Sequence, residues 1–119
     1  IQHPDHIAMG EATLAAIFPS ARDRLTFPEL LSEGLEPHKV TEVYIASSEE
    51  KCDTFIDIGA HMEQKFASLD AHRSQMGEWD FRPMLTRWAR DVAALARMRS
   101  FPGADDIEYA EAFKYIKLD

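Results

Sequence analysis

Hydrophobic positions recur along this chain at two periods, and the switches between them mark its elements. From His6 to Phe18 the apolar residues Ile7, Leu14, Ile17 and Phe18 share one helical face, and Pro19 ends that helix. Residues 20–27 are mixed and give no clear pattern. Phe27–Glu33 reads as a short helix, with Pro28 near its start and Gly34 past its end. Pro37-His38 leads into Val40–Ser47, where Val43, Tyr44 and Ile45 suit a mostly buried strand. Ser48–Lys51 is polar and turn-like, and a second strand follows at Thr54–Ile58, closed by Gly59. From Ala60 to Gln75 the spacing predicts a helix with Met62, Phe66 and Leu69 on one side, stopped by Gly77. The longest periodic stretch comes next. Leu85, Trp88, Val92 and Leu95 fall at steps of three and four, so residues 83–99 predict an amphipathic helix; its opposite face holds Arg87, Arg90, Asp91 and Arg97. Beyond Pro102-Gly103 and an acidic loop, Tyr109 and Phe113 stand one helical turn apart, a placement that predicts core packing.

Two strands among four helices leave a sheet short of partners, with backbone groups and apolar faces to be covered. The expectation is an α/β fold that forms part of a larger domain, its remaining strands lying upstream of Ile1. The opening on Ile1 rather than Met agrees with a preceding segment. With 119 residues, 45% of them hydrophobic and 10% aromatic, the chain suffices for one domain with a packed core. A sheet cut in this way predicts self-association or pairing with the missing N-terminal part. The net charge of −8, from 21 acidic against 13 basic residues, argues against a nucleic-acid footprint and against adhesion to anionic lipid. Cys52 is the single cysteine, which fits a reducing compartment. No apolar run approaches the ~20 residues of a membrane span, and no signal peptide is visible, so the expected location is the cytoplasm.

The candidate chemistry sits at the start, in His3-Pro4-Asp5-His6. Asp5 is a natural helix start because its short carboxylate reaches the amides of the first turn. Pro4 before it leaves His3 outside the helix in an extended conformation, with His6 in the first turn. Neutral imidazoles at a helix mouth are good ligands for a divalent metal, zinc above all. A cap flanked by two exposed histidines explains the same four residues without chemistry. A second polar cluster, Asp70-Ala71-His72-Arg73-Ser74-Gln75, falls where the 60–75 helix is expected to end; there cations suit the negative end of the helix dipole, a structural role. His38 and His61 match no motif and are expected on the surface.

Taken together and in order, His3-Pro4-Asp5-His6, Asp57-Ile58 ahead of a helix holding Lys65 and ending His72-Arg73-Ser74-Gln75, and Tyr109-Ala110-Glu111-Ala112-Phe113 resemble the PIG-L/LmbE family of metal-dependent N-deacetylases. The resemblance covers essentially the whole chain. It implies the C-terminal portion of a Rossmann-like domain, with Zn2+ as cofactor and an N-acetylated amino sugar of N-acetylglucosamine type as substrate. It also implies roles: His6 as a metal ligand, His3 facing the reacting carbonyl as oxyanion stabiliser and general acid, and Asp5 holding His3 in place. The other two ligands and the general base belong, in that family, to a His-Pro-Asp-Asp-Glu stretch that these 119 residues do not contain. Such a segment alone is expected to be inactive. Two further readings stand beside this one: a related zinc amidase or other metallohydrolase using the His-Asp-His cluster, and a non-catalytic α/β assembly module.

Overall fold

A computed structural model describes residues 3–46 and 49–119; Ser47, from the first predicted strand, and Ser48, from the predicted turn, lie outside the described residues. The chain divides into two compact units, Ile1–Val43 with Lys117–Asp119, and Tyr44–Ile116.

The first unit begins with α1, Pro4–Ala15, which starts two residues before the predicted helix because Pro4 itself is the first helical residue. A π-type turn, Ala16–Ser20, follows. Within it Phe18 leaves helical geometry (φ −153°, ψ 126°), since the ring of Pro19 disfavours a helical conformation in the residue before it. The short helix α2, Pro28–Ser32, has Pro28 at its start and Gly34 beyond its end at φ 80°. Gly34 takes a left-handed turn that a side chain would strain. The N–H of Leu118 donates to the carbonyl of Thr41 at 2.8 Å. None of the described side chains in this unit is buried; Ile7, Leu14 and Phe18, the predicted apolar face, are 47%, 48% and 56% exposed.

The second unit is built on a small three-stranded sheet of β1 (Glu42–Ala46), β2 (Thr54–Asp57) and β3 (Ala110–Lys117), in the order β1-β3-β2. The first two match the predicted strands. The third corrects the sequence reading, which took Tyr109 and Phe113 as a helical pair. A separation of four satisfies both periods, so that pair could not distinguish them. What decides is the alternation beyond it: Glu111, Phe113 and Tyr115 on one side of the strand, Ala110 and Ala112 on the other. β2 and β3 run antiparallel, with Thr54 opposite Phe113, Phe55 opposite Ala112, Ile56 opposite Glu111 and Asp57 opposite Ala110. The Tyr44 ring on β1 meets Phe113 and Tyr115 on β3 at 6.0 and 5.1 Å between centroids. The molecule is thus mixed α/β, with β3 paired on both sides and β1 and β2 at the edges of the sheet.

The predicted 60–75 helix is two helices, α3 (Met62–Asp70) and α4 (Arg73–Met76), broken at Ala71–His72. A straight continuation of the Met62, Phe66, Leu69 face would carry Arg73 towards the core. The break leaves Arg73 exposed and lets Met76 pack instead. His72 therefore precedes α4 rather than ending a long helix. Gly77, at φ 55°, stops the run as expected.

The last helix, α5 (Arg82–Met98), lies against β2. The face it buries is turned from the predicted one: Leu85, Ala89, Ala93 and Ala96 are inside, Val92 and Leu95 pack at the flank, and Trp88 is 56% exposed. Alanines at those steps bring the helix backbone close to the sheet. One core cluster gathers Ile58, Met62 and Phe66 with Phe81, Leu85 and Ala89; a second gathers Phe55, Ala96 and Ala104. Two arginines tie the helix end to loops, Arg97 donating to the carbonyl of Ile107 and Arg99 to that of Cys52, both at 2.7 Å.

At the start of β2, Asp53 accepts hydrogen bonds from the Lys114 ammonium, the Tyr115 amide (2.9 Å) and the Thr54 hydroxyl (3.3 Å). The Lys114 hydrogen bond, foremost, holds its carboxyl below the usual value of 3.8. A carboxylate of depressed pKa stabilises the fold fully above its ordinary value, and that stability is lost as pH falls through the folded value. Stability is therefore expected to drop below about pH 4, and Asp53→Asn should flatten that part of the acid limb, as read from urea midpoints at pH 3 and pH 6. Ala93 of α5 is fully buried, so Ala93→Leu should overpack its surroundings and cost ~1–3 kcal/mol in urea unfolding, with the slope unchanged.

Candidate functional site

His3 stands outside α1 with extended backbone (φ −63°, ψ 136°), as the Pro4 argument requires. It is also the cap. Its Nδ1 accepts the backbone N–H of Asp5 at 3.2 Å, so His3, and not Asp5, satisfies the open end of the helix. The correction has a simple cause: Pro4 has no N–H and already occupies the first helical position, which leaves Asp5 inside the helix and His3 at its mouth. The Asp5 carboxylate lies 3.7 Å from the same Nδ1, and both side chains are exposed, at 88% for Asp5 and 63% for His3.

Those two contacts require different protonation states. An Nδ1 that accepts from an amide carries no proton, so the neutral ring bears its proton on Nε2, turned away from the helix. A charged ring would instead present Nδ1–H to the Asp5 carboxylate and give up the cap. The His6 ring lies 5.6 Å from that of His3, centroid to centroid, at an interplanar angle of 44°. The predicted trio of His3, Asp5 and His6 is therefore together in space, all of it exposed.

Parts of the other two motifs, Asp57-Ile58 with Lys65 and Tyr109–Glu111, meet in the second unit. Lys65 on α3 forms an ion pair with Glu111 on β3, and the two side chains are 29% and 38% exposed. The Ile58 amide donates to the carbonyl of Tyr109 at 2.9 Å, and Asp57 lies opposite Ala110. The Asp57 carboxylate accepts the Gly59 amide at 2.8 Å; a Cβ on Gly59 would stand 3.2 Å from that oxygen, a tight contact to which the carboxylate would have to yield by a few tenths of an ångström. Arg90 of α5 donates to the Tyr109 hydroxyl at 2.8 Å and to Glu108 at 3.0 Å, with its guanidinium 5.1 Å above the Tyr109 ring. The hydrogen bond from Arg90, then that from Tyr109, holds the Glu108 carboxyl below its usual range. Lys65, Glu111, Leu85, Trp88 and Val92 line a cleft of about 630 Å³.

The remaining histidines are surface residues. His38 is exposed, and His61 is exposed with its Nδ1 2.6 Å from the Gln64 side-chain oxygen. Among the described residues, no group of three or more His, Cys, Asp and Glu side chains is arranged to hold a metal ion. Two imidazole nitrogens and a carboxylate are the right donor types for zinc, but one helix mouth does not bring three of them to a point. His6 fits as a single ligand. Sequence spacing alone also gave no sign of the Arg90, Glu108 and Tyr109 group or of the Trp88 cleft, because the partners come from different elements. Among the described residues, no helix is long and apolar enough to cross a membrane.

No protein-family model, no curated protein and no solved structure matches the chain. The class the fold defines is a mixed α/β protein with a three-stranded sheet.

The Lys65–Glu111 pair is partly withdrawn from water, so removing one partner leaves the other half-buried and alone. Lys65→Met is expected to destabilise the chain by more than the double change Lys65→Met with Glu111→Leu. A double-mutant cycle on thermal or urea unfolding should return a coupling of ~1 kcal/mol, at the upper end of the range for exposed pairs.

Proposed function

We propose that the chain is the C-terminal part of a zinc-dependent N-deacetylase of the PIG-L/LmbE type, acting on an N-acetylated amino sugar. The observation that carries this reading is the helix mouth: His3 and His6 stand side by side, and His3 is anchored through Nδ1, which leaves the cap no use for Nε2. The joining of Asp57-Ile58, Lys65 and Tyr109–Glu111 in one place supports it, since these were separate pieces of the resemblance.

Amide hydrolysis at neutral pH needs an activated water, and zinc bound at such a site lowers the pKa of water to ~7. His6 would be one of its ligands; the others belong, in that family, to the His-Pro-Asp-Asp-Glu stretch. The rest is done by this chain's own groups. Nε2–H of His3 donates to the oxygen of the reacting carbonyl as negative charge builds there. In its charged form, with Nδ1–H towards the Asp5 carboxylate, the same ring gives its Nε2 proton to the departing amine, which leaves a neutral ring protonated on Nδ1; proton exchange with water at the two nitrogens then restores the Nε2–H form that caps the helix. Asp5 thus supplies both the amide that fixes the neutral ring and the carboxylate that steadies the charged one.

The test joins or mixes the 119-residue chain with a polypeptide carrying the His-Pro-Asp-Asp-Glu stretch, and measures zinc content and acetate release from N-acetylglucosamine conjugates. His6→Ala is expected to lose zinc to a competing chelator. His3→Ala should keep zinc and lose ~10²–10⁴-fold in turnover, as for a general acid. Unchanged zinc retention in His6→Ala, or loss of metal in His3→Ala, overturns the two assignments. Zinc retention and acetate release by the 119 residues alone would show that residues of this chain complete the site.

A further inference from the structure

The cleft in the second unit lies apart from any role described so far. Leu85, Trp88, Ala89 and Val92 line it from α5, at positions that fall on one helical face, and Ala110–Phe113 of β3 line it from the sheet. Its volume of about 630 Å³ is in the range of small-molecule sites, ~300–1,000 Å³. Among the described residues, the charged feature of these walls is the Lys65–Glu111 pair. Apolar walls with one fixed polar pair are the pattern of a site that holds a ligand by shape and orients it by one edge.

That edge has a definite chemistry. A lysine ammonium has three N–H groups and a carboxylate two oxygens, so one bond between Lys65 and Glu111 leaves both a donor and an acceptor at the same place. A group presenting C=O and N–H on one edge matches both at once. A primary carboxamide or a cyclic lactam does so; an ordinary trans amide points the two in opposite directions. The pair is neutral as a unit, so a carboxylate ligand meets Glu111 and a cation meets Lys65, each unfavourably. A sugar fits less well, because apolar walls leave most of its hydroxyls without partners. A flat ring leaves none and stacks on the indole of Trp88, which is 56% exposed although it is the largest side chain of the lining. Ala89, Ala110 and Ala112 keep the walls thin enough for a ring to enter.

We propose that this cleft binds a small planar ring bearing a carboxamide or lactam edge, with its carbonyl on Lys65, its N–H on Glu111 and its face on Trp88. The cleft shares Lys65 and Glu111 with the pieces of the resemblance but uses none of His3, Asp5 and His6, so binding there can be measured apart from any deacetylase activity. The probe is nicotinamide, with nicotinate as the matched ring that lacks the N–H and carries a negative charge. In Trp79→Phe protein, the remaining indole, Trp88, reports binding by fluorescence. Nicotinamide should quench it saturably and bind at least ~10-fold more tightly than nicotinate, a preference worth about 1.4 kcal/mol. Lys65→Met with Glu111→Leu, which keeps the volume and removes both charges, should weaken nicotinamide ~10-fold and abolish the preference. Heteronuclear NMR of the unaltered protein should show shifts at Val92 and Glu111 with nicotinamide. Equal affinity for the two rings, binding unaffected by the double change, or no saturable quenching overturns the proposal. So does a dimer whose Trp88 emission is concentration-dependent without ligand, which would make a second copy the occupant.

Discussion

β3 enters the sheet between two strands that precede it by more than fifty residues, and the sheet of the second unit depends on that insertion. β1 and β2 are each other's neighbours in sequence but not in space. Each has an unpaired edge until β3 fills the gap, and unpaired backbone groups in a half-buried sheet are costly. Once β3 is in place, Lys114 and the Tyr115 amide reach Asp53, Glu111 reaches Lys65, and the Tyr109 carbonyl receives the Ile58 amide. The last strand in the chain is thus the first requirement of the sheet. Because the closing contacts span some 46 to 62 residues, their loop-closure entropy must be met before they give anything back.

Small side chains set the second constraint. Ala93 and Ala96 are fully buried and Ala110 nearly so. Helix and sheet approach closely there, and the larger residues Phe55, Phe66 and Phe81 fill the space to either side. This close packing also turns α5 so that Trp88 sits at the lip of a cleft instead of within the core. The first unit is the contrast. Its helix mouth is ordered by local forces alone, with no buried side chain among the described residues, and the His3 cap is a contact between residues two apart. A helix mouth made by short-range geometry and a cleft made by long-range pairing therefore occur in one chain for different reasons.

Local rules read from the sequence were enough for β1, β2, α2 and α5, for the stop at Gly77, and for the placing of His3 outside a helix with His6 in its first turn. Each rests on a proline, a glycine or a periodicity within a few residues, which no distant contact needs to support. Tertiary structure decided the rest. Tyr109 to Phe113 fits a helix and a strand equally; the alternation that continues to Tyr115 and the place between β1 and β2 together select the strand. The break at Ala71–His72 and the turn of α5 onto its alanine face follow from which residues the core has room for. Asp5 yielded the cap to His3 because Pro4 took the first helical position, a shift of one residue that spacing alone does not resolve. Lys65 and Glu111 are linked by no local pattern. Local geometry is encoded between near neighbours along the chain, whereas pairing across 46 residues is decided by the sheet that brings them together.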